Sequence, residues 1–173
     1  MINKIRQFKR SEKGNVSAEF VIMAPIMLSL MLIGIEIGVM TLRHTTLERS
    51  LDQTVRWVRL NTGAAPTHEQ LKTMICSGTL LKDCEENLYL EMSVQDMRAW
   101  TDMNALPACV DQAVSIGPMG EYSFGQDNET VILRACAKFN PLFPGTKFAA
   151  GMAKDANGDS MLVSQSAFVQ EPR

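Results

Sequence analysis

From Phe20 to Leu42 the chain is apolar apart from Ser29, Glu36 and Thr41. A helix over these 23 residues would span about 34 Å, enough to cross a bilayer. Beyond it the pattern changes. Leu42, Leu47, Leu51, Val55 and Val58 recur at spacings of three to five, close to the helical period, while Arg43, Arg49, Asp52, Arg56 and Arg59 take the other faces. One helix is therefore predicted from about Val16 to about Asn61, its inner half in the membrane and its outer half against a folded body. Asn61-Thr62-Gly63 is a suitable stop.

A second helix is predicted from Pro66-Thr67. Thr67-x-x-Gln70 has the form of a capping box, Leu71, Met74 and Ile75 make one face, and Ser77-Gly78 ends it. The period then drops to two. Leu88, Leu90, Met92 and Val94 alternate with polar residues, and Val131, Leu133, Ala135, Ala137 and Phe139 do the same, which predicts two strands. Residues 160–169 form a third, less regular strand, and a short piece at 113–116 is a candidate fourth. Turn-rich linkers at 116–120 and 140–145 separate them. Asp155-Ala156-Asn157-Gly158-Asp159 lacks the sixth-position glycine of a calcium loop and reads as a tight turn.

The predicted class is α+β: a long N-terminal helix, membrane-embedded in its first half, with a small antiparallel sheet packed on its outer half. The segments are a basic leader at 1–14, a membrane helix at 15–43 and a body at 44–173. About 130 residues remain for that body, enough for one domain with its own core. A cleaved secretory signal is the competing reading of the apolar run. Such signals have a shorter core and an Ala-x-Ala type site, and neither is present.

Charge orients the segment. Residues 1–14 hold Lys4, Arg6, Lys9, Arg10 and Lys13 against Glu12, a net +4, and since the whole chain carries −2 the remainder carries −6. A basic head and an acidic body place the N-terminus in the cytoplasm and the body outside. No basic patch in the body points to nucleic acid.

The four cysteines, Cys76, Cys84, Cys109 and Cys136, all fall in the part predicted to be exported, where disulfides persist. Cys76–Cys84 and Cys109–Cys136 is the pairing that closes the shorter loops. Free buried thiols are the alternative. No Cys-x-x-Cys is present and the histidines are only His44 and His68, so no metal is expected.

The membrane edge carries the most specific signal. Gly14 is followed after four residues by Glu19-Phe20 and then the apolar run, which resembles a type IV prepilin processing motif. Ala18-Glu19-Phe20, with Pro25 five residues further on, is similar to the TadE-like family of the tight-adherence (Flp) pilus system. Val131 to Cys136, then Pro141-Leu142-Phe143-Pro144, then a last strand closing in Gln170-Glu171-Pro172, resembles the C-terminal half of that family. The resemblance implies a cut between Gly14 and Asn15 by a membrane prepilin peptidase. It also implies that Glu19 pairs with the new terminal amine of a neighbouring subunit.

Elementary chemistry fits these roles. Glycine offers a peptidase no side-chain obstruction. An acid near a helix N-terminus is favoured by the macrodipole. A carboxylate against apolar surroundings is costly until an ammonium meets it, so it sets the register between subunits. The plainer alternative for Glu19 is a helix-start acid in the headgroup layer. Pro25 removes one backbone hydrogen bond and is expected to kink or soften the helix. Gly34-Ile35-Glu36-Ile37-Gly38 contains a Gly-x-x-x-Gly helix-packing motif. Glu36, near the outer interface, is read either as part of a partner contact or as a helix-end acid reaching for the headgroups.

Catalytic patterns are absent: there is no Gly-x-Ser-x-Gly, no phosphate-binding loop and no His-Glu-x-x-His. The expectation is a non-enzymatic minor pilin or pseudopilin with no cofactor and no small-molecule substrate. Its partners would be the membrane, the prepilin peptidase and other subunits (TadF-like proteins and the major Flp pilin). It would sit in the bacterial inner membrane as a single-pass protein with a periplasmic body, or in the extracellular pilus, and serve adhesion and biofilm formation. Two alternatives stay open: a signal-anchored periplasmic binding domain with an uncut helix, and a type II secretion pseudopilin.

Overall fold

The computed structural model describes residues 15–61, 65–99, 123–152, 154 and 159–172. The predicted leader with Gly14, the candidate strand at 113–116, Cys109 and residues 155–158 lie outside the described residues. The described elements run α1 (Asn15–Leu60), α2 (His68–Ser77), α3 (Cys84–Asn87), β1 (Leu88–Gln95), β2 (Thr130–Phe139), α4 (Lys147–Ala150) and β3 (Ser160–Val169).

Helix α1 is one element of 46 residues, as the two joined apolar patterns predict. Pro25 does not break it: the helix runs on through that position. Its outer half buries Leu47, Leu51, Val55 and Val58 as a single stripe, each contributing roughly 1.5–3 kcal/mol relative to exposure. Two buried hydroxyls interrupt the stripe and both are satisfied. Ser50 Oγ donates to the Ile75 carbonyl at 2.6 Å, and Thr54 Oγ1 donates to the Ser50 carbonyl at 2.9 Å.

Helix α2 starts at the predicted capping box. Thr67 Oγ1 accepts from Gln70 N at 3.3 Å, and Gln70 Oε1 accepts from Thr67 N at 3.1 Å. Leu71 and Ile75 are buried and Met74 is half-buried. Gly78 caps the far end at φ −102°, a conformation open to any residue, so its size rather than its φ is what matters there. A Cβ at Gly78 would lie 2.7 Å from Ser50 Oγ. The absent side chain lets α2 close on α1. Cys76 and Cys84 are bridged, tying the end of α2 to the start of α3.

The sheet is antiparallel with order β1-β2-β3. One face presents Leu88, Leu90, Met92, Val131, Leu133, Ala135, Ala137, Leu162 and Phe168 to the helices, forming one core with the α1 stripe and with Leu71 and Ile75. The inward positions of β3 are Ser160, Leu162, Ser164, Ser166 and Phe168, so three of the five are small, and Ser160 and Ser164 are buried with Leu162 and Phe168. That explains its weak hydrophobic alternation: α1 packs on this strand, and small side chains let a helix approach closely. His44 Nε2 lies 3.2 Å from the Val163 carbonyl, fixing α1 to β3.

Strand β2 departs from a one-sided pattern. Besides the predicted apolar face, Ile132, Arg134, Cys136 and Lys138 are also buried. On this second face side chains of β1 reach across to β2. Arg134 lies opposite Glu91 with a 3.6 Å ion pair, and Lys138 Nζ sits 5.7 Å from the Tyr89 ring centre. Cys136 is disulfide-bonded.

The geometry sets a common axis. β3 runs from Ser160 to Val169 alongside α1, with His44 meeting Val163 at the inner end and Arg59 meeting Glu171 at the outer end, at 3.1 Å. The sheet end holding Phe139 and Ser160 therefore faces the apolar half of α1, and the end holding Thr130 and Val169 faces away.

Candidate functional site

The inner half of α1 is bare. Val16, Phe20, Val21, Ile22, Met23, Ile26, Met27, Leu28, Leu30 and Met31 are all exposed, Phe20 at 69 %. Such a surface cannot face water over this length. It is the one candidate membrane span among the described residues.

Glu19 sits on this surface, one residue before Phe20, and is exposed. Among the described residues its carboxylate makes no hydrogen bond or ion pair. With α1 beginning at Asn15, Glu19 falls in the second turn rather than the first. Pro25 leaves the Val21 carbonyl without its usual helical donor, and the Ser29 hydroxyl donates one turn further on, to Ile26, at 2.8 Å. Gly34 and Gly38 are exposed, and a Cβ at either would meet nothing within 4 Å. The strip that the Gly-x-x-x-Gly motif predicts for close helix approach is thus open on the molecule's surface.

Glu36 behaves differently from both sequence readings. It is only 1 % exposed. Leu142 N donates to its Oε1 at 3.0 Å, and Phe143 N donates to its Oε2 at 2.9 Å. The carboxylate therefore neither reaches outward to the headgroups nor lies open to a partner helix. It is held within its own chain, because two adjacent backbone amides satisfy it better than solvent at a membrane edge could. Thr146 closes the same loop, its N and Oγ1 both donating to the Phe143 carbonyl at 3.1 and 3.0 Å, and its Oγ1 caps α4 by accepting from Ala149 N at 3.2 Å.

Two turns further along α1, Arg43 clasps the end of β2. Its Nη1 donates to the Asn140 carbonyl at 3.1 Å and its guanidinium lies 5.3 Å from the Phe139 ring centre. Arg43, Lys82 and Lys138 line a cavity of about 220 Å³ together with Asp83 and Asp159. The mixed signs mark a polar collar above the apolar helix. Sequence periodicity places Arg43 only on the outer face of α1. Its contact with a loop nearly a hundred positions away has no local signature.

The fold and site together define a protein with a single long N-terminal helix, bare at its inner end, carrying a small α+β body on its outer end. Residues 14–56 match a family model described as TadE-like protein, the same family to which the Gly14–Pro25 motif pointed. The match covers the bare helix, Glu19 and most of the stripe that packs on the body. Over these residues the chain is similar to that family. No curated protein and no solved structure matches the chain.

Proposed function

We propose that the chain is a minor pilin or pseudopilin that helps to assemble or prime a tight-adherence pilus, supporting adhesion and biofilm formation, and that its role is structural rather than catalytic. Cleavage between Gly14 and Asn15 by a prepilin peptidase creates an N-terminal ammonium at the start of α1. Glu19 of one subunit then pairs with that ammonium on a neighbour, either a TadF-like subunit or the major Flp pilin. Before assembly the chain is a single-pass inner-membrane protein with its body in the periplasm.

The observation that carries this reading is Glu19: an exposed acid whose carboxylate has no partner among the described residues, on an otherwise apolar surface of membrane length. A charge so placed is costly in lipid unless an opposite charge reaches it. The TadE-like match over the same residues supports the reading.

Intact mass of the protein from its native host, with and without the prepilin peptidase, tests it. A mature chain beginning at Asn15 is expected only when the peptidase is present. An uncut chain in a peptidase-positive cell would favour a signal-anchored domain instead.

A further inference from the structure

The loop that holds Glu36 has an unusual donor account. Pro141-Leu142-Phe143-Pro144 contains two prolines, so its backbone offers only two N–H groups. Both are taken by the Glu36 carboxylate. No backbone donor of this tetrapeptide is left for water, yet Leu142 is 47 % exposed and Pro144 is exposed too. A tetrapeptide that is apolar outside and has no free backbone donor suits a low-dielectric surrounding, where each unmet backbone N–H would cost several kcal/mol.

Its position agrees. Sixteen residues separate Phe20, where the apolar run begins, from Glu36, about 24 Å of helix, which places Glu36 in the outer part of a span of typical bilayer thickness. The loop is thus tied to α1 near the outer end of the apolar run, which closes at Leu42, and at the sheet end that faces that run.

We propose that residues 141–144 form a foot that rests in the lipid interface, with Leu142 and Pro144 at the headgroup–acyl boundary and Glu36 acting as the internal clamp that holds the foot there. The occupant of this surface is bilayer lipid, because the loop is continuous with the bare helix surface and is fixed at its lipid-water edge. The inference rests on α1 spanning a membrane. It adds a second membrane contact, made by the body itself, which fixes the height and tilt of the body above the bilayer.

The test uses the full chain reconstituted in phosphatidylethanolamine–phosphatidylglycerol vesicles that carry a nitroxide quencher on the acyl chain near the headgroup or near the bilayer centre. A fluorophore is placed on Leu142→Cys, on Met23→Cys in the bare helix, or on Met97→Cys, an exposed site beyond the far end of β1. The proposal expects shallow-nitroxide quenching at 142 at least threefold above that at 97, with 23 quenched by the deep nitroxide. Equal weak quenching at 142 and 97, with 23 quenched, overturns the foot while leaving the span intact. Absence of quenching at 23 overturns the span and the foot together. Glu36→Gln, with normal Cys76–Cys84 oxidation as the folding check, is expected to lower quenching at 142 toward the value at 97 and to leave 23 unchanged. Undiminished quenching at 142 in that variant would remove Glu36 from the mechanism.

Discussion

The Glu36 Oε2 and Phe143 N atoms lie 2.9 Å apart although 107 positions separate them in the chain. This bond and its neighbour from Leu142 join the membrane-length helix to the body at one defined height. The joint is charge-assisted and buried, so small changes to it should have large and local effects.

Glu36→Ala is expected to destabilise the body by about 2–4 kcal/mol, because it removes two hydrogen bonds to a charged acceptor and leaves two amides without partners. Glu36→Gln should cost less, since one amide still meets a carbonyl oxygen while the other faces an NH₂ group. Chemical denaturation in detergent measures the totals. Hydrogen exchange should show faster exchange at Leu142 and Phe143 than at residues of β2. Uniform loss of protection would argue against a local clamp.

Glu19→Ala should leave the isolated chain as stable as the parent, within about 0.5 kcal/mol, because exposed substitutions that break no internal contact rarely exceed that. Pilus assembly, in contrast, should fall sharply in cells carrying this variant. Normal pili would show that Glu19 has no pairing role between subunits.

Gly78→Ala places a methyl group 2.7 Å from Ser50 Oγ, whose bond to the Ile75 carbonyl it would disturb. A loss of about 1–2 kcal/mol is expected from this overpacking. Combining it with Ser50→Gly should recover part of the loss, and a double-mutant cycle would read out the coupling. Strictly additive effects would mean that the two sites do not meet.

The Cys76–Cys84 bridge closes a loop with a sequence separation of 8. Chain-entropy reasoning gives about 2.5 kcal/mol for a loop of that size. The Cys76→Ala, Cys84→Ala double variant should lose about that much in urea titration, with little change in slope. A drop several times larger would point to a further role for the bridge in packing α2 against α3.

Much of this architecture is local and so was legible beforehand. The long helix, the capped second helix, the three strands and the tight disulfide each depend on periodicity or on neighbours a few residues apart. Leu47 to Val58 has one apolar stripe whichever partner it meets, and Thr67 with Gln70 can cap α2 without the rest of the fold. What eluded the pattern was set by chain segments that are distant in sequence. Arg134 and Lys138 alternate like surface residues, yet their strand takes the middle place in the sheet and they are buried. Periodicity puts Arg43 only on a face of α1 away from the apolar stripe, and its bond to the end of β2 comes from the tertiary fold.

Glu36 marks the division most clearly. The sequence by itself determined that a carboxylate would sit near the end of an apolar helix, and therefore that something would have to satisfy it, since an unpaired charge there is costly. Which group does so was decided only when the sheet folded back along α1 and brought a proline-flanked loop, with two amides available, to the same height. Periodicity is written into neighbouring residues, whereas the partner of a buried charge depends on how the whole chain closes.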